Sequence, residues 1–171
     1  MSKNLHKNIC EETLYANFFK KYANDLHSFL YYKFGEHLNP KDKVQEAFIK
    51  VWENCKNITP EKAKNYLFTV GNNLMLNEVK HQKVVLRHRL EKPKSHTHEN
   101  PEFLMEEQEY SQKLQKAISS LTEAQRVAFL LNRIEGKKHK EIAQLLDIST
   151  KAVEKRIYGA LKKLKEQIDE L

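Results

Sequence analysis

The sequence predicts an all-α protein made of two small helical domains joined by a flexible linker, the second containing a helix-turn-helix. Three observations predict this. Apolar residues recur at steps of three and four over long stretches. Only four Gly and four Pro interrupt 171 residues, so long helices with few tight turns are expected. A polar, proline-bearing stretch without a period, 91–105, separates two patterned blocks, 8–90 and 106–171.

In the first block, Leu14, Phe18, Phe19, Tyr22, Leu26, Phe29 and Leu30 mark one face of a helix from Glu11 to about Gly35. Asn39-Pro40-Lys41-Asp42 is a start signal, and Val44, Phe48, Val51 and Trp52 carry a second inward stripe to about Asn54. After the breaker run that follows, Thr59 and Pro60 suit the cap and first turn of a third helix running to about Arg89. Its Ala63, Tyr66, Leu67, Val70, Leu74 and Val85 are placed to pack on the first two helices.

The linker, fully extended, reaches roughly 45 Å, longer than one ~34 Å turn of duplex DNA. Two domains so tethered can touch separated sites on one DNA. Beyond it, Leu104 to Ile118 is amphipathic, and Ser120-Leu121-Thr122-Glu123 opens a helix carrying Val127, Phe129, Leu130 and Ile134 to Gly136. Lys138 to Leu146 and Ser149 to about Glu170 are then joined by a connection of helix-turn-helix length. There Asp147 is suited to a left-handed turn residue and Ser149 to a cap.

The formal charge of +7 favours polyanionic partners. Cys10 and Cys55 are too few and too far apart in sequence for a disulfide framework, so a reducing cytoplasm is the expected compartment. The N-terminus lacks the apolar core of a signal peptide, and no stretch approaches the ~20 apolar residues of a membrane span. His81, His88, His96 and His98 lack cysteine or carboxylate neighbours at zinc-site spacing, so no metal is expected. HExxH, P-loop and GxSxG patterns are absent from the sequence, which gives no support to an enzyme, a cofactor or a small-molecule substrate.

Charge concentrates where the helix-turn-helix lies. From Glu135 to Lys165 nine Lys and Arg face four Asp and Glu. An apolar seam through Ile142, Ala143, Leu145, Leu146, Ile148, Val153, Ile157 and Leu161 leaves Thr150, Lys151, Glu154, Lys155 and Arg156 on the outer face of the last helix, where such a helix reads the major groove. Lys140 and Ser149 complete this candidate duplex-binding set. An ordinary solvated helix pair would share the lysines, but not the combination of junction length, seam and charge surplus.

In the first block, Asp42, Gln45, Glu46 and Lys50 form an outward polar row on the second helix, suited to a protein partner of complementary charge. The loop residues Lys56, Asn57, Ile58 and Thr59 make a mixed polar and apolar cradle. With Lys64, Tyr66, Asn72, Asn73, Asn77 and Lys80 on the third helix, they can hold unpaired bases and backbone, and Lys83, Arg87 and Arg89 can hold phosphates. Phe68 is available for stacking, although a core position suits a single aromatic better.

These segments carry a resemblance. Asp42-Lys43-Val44-Gln45-Glu46-Ala47-Phe48-Ile49-Lys50-Val51-Trp52 resembles the segment by which extracytoplasmic-function sigma factors, of the sigma-70 family, grip the RNA polymerase clamp. Asn65 through Lys80 is similar to that family's promoter-melting, −10-reading helix. Tyr66-Leu67 stands for the usual Trp-Leu pair, Asn73 matches the family's Asn, and Lys80 and His81 occupy its later Arg positions. In the second block, Thr122, Asp147 and Ala152 stand where relatives often carry Pro, Gly and Thr.

The resemblance implies a transcription initiation factor that catalyses nothing. It would bind polymerase core at its clamp and flap, hold the −35 element of promoter DNA as duplex through the second block, and capture unpaired −10 bases through the first. It also implies an anti-sigma partner, often membrane-bound. The acidic run Glu99, Glu102, Glu106, Glu107 and Glu109 falls where the family's connector threads through the polymerase, and it suits a solvated segment equally well. The competing expectation is a conventional helix-turn-helix regulator whose first helices sense or dimerise, and which ignores polymerase core.

Overall fold

Helices form where apolar stripes predict them. The computed structural model describes residues 8–89 and 103–169, with side chains over 8–83 and 111–167. Among these there is no strand, and the chain divides into two compact units, Met1–Arg87 and His88–Leu171.

In the first unit α1 spans Glu12–Phe34 and stops at Gly35, whose φ of 91° and tight approach to His37 Nδ1 (2.9 Å from an added Cβ) leave room for glycine alone. A 3-10 turn, Glu36–Leu38, leads to Asn39, left-handed at φ 51°, and Pro40 then starts α2 (Pro40–Glu53) with its preset φ. A second 3-10 turn, Cys55–Asn57, precedes α3 (Pro60–Arg89), whose first free amides, Lys62 and Ala63, are received by the Thr59 carbonyl.

Leu26 and Leu30 on α1, Val44, Ala47, Phe48 and Val51 on α2, and Ala63, Leu67 and Met75 on α3 are buried together with Ile9. Each fully buried large apolar side chain contributes roughly 1.5–3 kcal/mol, which is what holds so small a unit folded. Aromatic rings clamp α1 to α2: Phe48 lies 5.8 Å from Phe18 and 4.7 Å from Phe19, and the Tyr15 hydroxyl donates to the Phe48 carbonyl. Partial burial pushes the Tyr15 phenol up to about 12.

In the second unit the end of α4 (Phe103–Ser120) and the following Leu121 pack on the last helix through Ala117, Leu121, Ala160 and Leu164. Thr122 and Gln125 form a reciprocal capping box at the start of α5 (Glu123–Arg133). Next come α6 (His139–Leu146) and α7 (Thr150–Asp169). Val127, Ala128, Leu131, Ile142, Ala143, Leu145, Val153 and Ile157 close the core between α5, α6 and α7.

Several expectations need correction. Cys10 and Cys55, expected to be too far apart in sequence for a disulfide framework, are joined by a disulfide with their Cα atoms 5.1 Å apart. Their 45-residue separation says nothing of distance once the N-terminal segment folds back over the second 3-10 turn. A bridge closing a loop of that length removes chain entropy worth ~4 kcal/mol from the unfolded state.

Trp52, assigned to the inward stripe, is 43% exposed. On the first turns of α1 its ring meets the Tyr15 ring at 4.7 Å, and one face stays open to solvent. Tyr66, Ile134 and Leu161 likewise lie outside: α7 buries Ala160 and Leu164 rather than Leu161, Ile134 falls past the end of α5, and Tyr66 meets the residue that ends α2, Asn54, with its hydroxyl while its ring is exposed.

The last three residues expected in the linker, 103–105, already belong to α4. Leu and Met are good helix formers, so the helix takes them in. The rest of that segment, 91–102, lies outside the described residues, as do His88's side chain, His96, His98, the acidic side chains up to Glu109, and those of Val85, Arg87 and Arg89.

Candidate nucleic-acid interface

The α6–α7 corner is built from local signals. Asp147 adopts the left-handed conformation at φ 56°, which turns the chain after a single residue. Ser149 Oγ then accepts the Ala152 amide at 3.1 Å, capping α7. At the entry to α6, the Glu141 carboxylate accepts the Lys138 amide at 2.7 Å.

With most of the seam buried and Leu161 outside it, Lys140, Ser149, Thr150, Lys151, Glu154 and Lys155 all stand exposed, while Arg156 is half-buried on the flank of α7. Lys151, Glu154 and Lys155 share one face with Tyr158, 74% exposed, which the sequence reading missed. Its position three and four residues beyond Lys155 and Glu154 was the available signal. Glu154 lies 3.9 Å from His139 Nδ1, whereas Lys140, Lys151 and Lys155 have no ion partner among the described residues and are free to meet phosphate. Asn132 Nδ2, donating to the Lys137 carbonyl at 2.8 Å, ties α5 to the loop that enters this corner.

On α3 the predicted residues separate by helical angle. Tyr66, Asn73, Asn77 and Lys80 fall within one exposed strip, with Thr69 and Leu76 beside them. Thr69 and Leu76 were not anticipated. Lys64 lies on the opposite side, half-buried and already engaged, and Asn72 is turned toward α1, where its Oδ1 accepts Lys33 Nζ at 2.8 Å. Phe68 is a core residue, its ring 5.3 Å from Phe29.

The loop before α3 is wired to that strip. Asn54 Nδ2 donates to the Tyr66 hydroxyl at 3.0 Å, and Asn57 Nδ2 donates to Asn54 Oδ1 at 2.7 Å. Lys56 and Asn57 are exposed and Thr59 is half-buried, so they border the Tyr66 end of the strip. Ile58 departs from expectation. It is only 4% exposed, because the buried Ile9 lies over it and the Ile9 amide donates to the Ile58 carbonyl at 3.2 Å. Ile58 supports the loop from below rather than lining a cradle.

On α2, Asp42, Gln45 and Lys50 are exposed and Glu46 is half-exposed. Lys43 reaches both Glu46, at 3.3 Å, and Glu78 of α3, at 3.5 Å, fixing the row against the rest of the unit. The centre of the row is Ile49, 57% exposed, also missed although its helical angle, opposite Val44 and Val51, was readable. An apolar residue ringed by polar ones is a common anchor for a protein partner.

Comparison with known proteins follows this division. The family model for Sigma-70 region 2 matches residues 18–84, and that for Sigma-70, region 4 matches residues 111–164. The chain is 25% identical over 154 residues to the ECF RNA polymerase sigma factor SigE of Mycolicibacterium smegmatis, a match covering 87% of this chain and 59% of that protein. It therefore spans less than two thirds of that relative's length.

Proposed function

Because this chain belongs to the extracytoplasmic-function subfamily of the sigma-70 family, we propose that it directs promoter-specific transcription initiation as a subunit of RNA polymerase. The observation that carries the reading is the pairing of two separately folded units, each matching a different sigma-70 region in the family's order, with an exposed nucleic-acid-competent face on each. The α2 row of Asp42, Gln45, Glu46, Ile49 and Lys50 grips the polymerase clamp. The α7 face of Thr150, Lys151, Glu154 and Lys155, with Lys140 and Ser149 beside it, holds the −35 element as duplex.

Promoter opening follows from preferential binding. The α3 strip of Tyr66, Asn73, Asn77 and Lys80, with Lys56 and Asn57 on its loop, receives unpaired −10 bases. Unstacking a base costs a few kcal/mol, and stacking on an aromatic ring returns ~1–3 kcal/mol per base, with hydrogen bonds from the asparagines adding to it. A surface that binds only the open strand shifts the closed-to-open equilibrium, and no bond of the nucleotide is made or broken by this chain. The reading also includes a cytoplasmic location and an anti-sigma partner that covers these faces.

Reconstitution tests it. Purified chain added to core polymerase is expected to yield transcripts from a subset of promoter fragments, and the triple variant Asp42→Ala, Gln45→Ala, Glu46→Ala to lose core binding while keeping duplex affinity. A chain that binds duplex yet never associates with core polymerase would be a conventional regulator and would overturn this assignment.

A further inference from the structure

The disulfide joins two places with different roles. Cys55 opens the 3-10 turn whose next residues, Lys56 and Asn57, border the base-capturing strip, and Asn54, immediately before it, carries the hydrogen bonds to Tyr66 and Asn57. Cys10 belongs to the segment that lies across this turn, seated by Ile9, 1% exposed, and by the bond from the Ile9 amide to the Ile58 carbonyl. The bridge thus clasps the N-terminal segment onto the loop. A protein that works on DNA and polymerase does so in a reducing compartment, where disulfides in proteins of moderate-temperature organisms are usually transient and redox-sensing.

We propose that Cys10 and Cys55 form a reversible thiol–disulfide lock on the 54–59 loop, oxidised by low-molecular-weight disulfides and opened by the corresponding thiols. The proposal rests on the reading of that loop and α3 as the −10 surface. Cys10 is half-buried and Cys55 only 7% exposed, which orders the steps. The Cys10 thiolate attacks the small disulfide, forming a mixed disulfide and releasing one small thiol. The Cys55 thiolate then attacks the Cys10 sulfur and expels the second. The dithiol gives up two electrons and two protons, and one small disulfide becomes two thiols.

The locked form binds open promoter more tightly. With the bridge in place the loop is ordered before a base arrives. Without it, the loop keeps its own backbone bonds, from the Asn57 amide to the Asn54 carbonyl and from the Ile58 amide to the Cys55 carbonyl, with the Ile9–Ile58 bond and the Asn57–Asn54–Tyr66 chain, but the N-terminal segment is no longer covalently held across it, and part of the ordering must occur on binding. Fixing even one further backbone residue corresponds to roughly a tenfold loss of affinity.

The test uses the full chain equilibrated in glutathione and glutathione disulfide at varied ratios. Three quantities are read: the thiol state by alkylation and mass, amide hydrogen exchange over residues 9 and 54–58, and holoenzyme affinity for a fork-junction DNA built on a promoter the holoenzyme itself selects. The expected result is a pair that titrates with the ratio, loop amides that exchange faster when it is reduced, and fork binding about tenfold weaker in that state. Cys10→Ser is expected to stay at the weaker level at every ratio. A pair that never exchanges with glutathione, or loop amides and fork affinity equal in both forms, overturns the lock. A redox-dependent loop in a chain whose two forms both fail to bind fork DNA upholds the lock and refutes the −10 assignment.

Discussion

The free lysines of α7 allow a quantitative test of the duplex-binding face. In the double variant Lys151→Ala, Lys155→Ala, both positions are exposed and without an ion partner among the described residues, so neither substitution breaks an internal interaction. Alanine is the best helix former, and stability should change by less than ~0.5 kcal/mol. If each lysine neutralises one phosphate, each contributes about 0.9 to the slope of log affinity against log salt, so the double variant should lose about 1.8. Between about 50 mM and about 200 mM salt, 0.6 of a decade, this makes the penalty roughly tenfold larger at the low-salt end. Fluorescence anisotropy with several unrelated duplexes reads it, and the loss should be uniform across sequences because phosphate carries no base information. A salt slope that falls by less than about 0.5 while the thermal melt stays unchanged would refute the placement of these lysines against the DNA backbone.

Three further outcomes are expected. Ser149→Ala removes the acceptor for the Ala152 amide at the start of α7 and should destabilise the second unit by about 1 kcal/mol, visible as a lowered urea midpoint without a change in slope. Gly71→Val should destabilise the first unit by ~1–3 kcal/mol, because a Cβ there already stands 3.1 Å from Leu26 Cδ1 and 3.4 Å from Leu30 Cδ1; a midpoint equal to that of the parent would contradict this packing. Tyr15 should make stability fall at high pH. Its folded phenol ionises at about 12 against 10.0 unfolded, so stability is fully present below pH 10 and is lost as pH rises toward 12. Two pH units at ~1.4 kcal/mol each set an upper limit of ~2.7 kcal/mol, reduced to about 1 kcal/mol because the ring is only half-buried. Urea midpoints of the parent and Tyr15→Phe at pH 9 and pH 11 should diverge by that amount, and parallel behaviour would remove the phenol as the cause.

Much of the candidate site was readable because its signals are short-range. Asp147 and Ser149 act within a turn of their own position, and Lys140, Lys151 and Lys155 extend from faces that a 3.6-residue period identifies directly. Asp42, Gln45 and Glu46 were legible for the same reason. Residues at the borders of a stripe were not. An apolar face covers more than 100° of a helix, and whether Trp52, Tyr66 or Leu161 at its edge is covered depends on how far the neighbouring helix extends. Ile49 and Tyr158 belong to residue types that usually face inward, so only their helical angles mark them as surface residues.

The order of helices, their caps and stops, the all-α class and the basic face of α7 were determined by the sequence itself, since each depends on interactions spanning no more than about four residues. Tertiary structure alone decided the rest: the seating of Ile9 over Ile58, the turn of Asn72 toward Lys33, the wiring of Asn54 to Tyr66, and the joining of Cys10 to Cys55. Each of these is a meeting of groups far apart along the chain. Such meetings are set by how α1, α2 and α3 pack side chain against side chain, and periodicity within one helix carries no information about them.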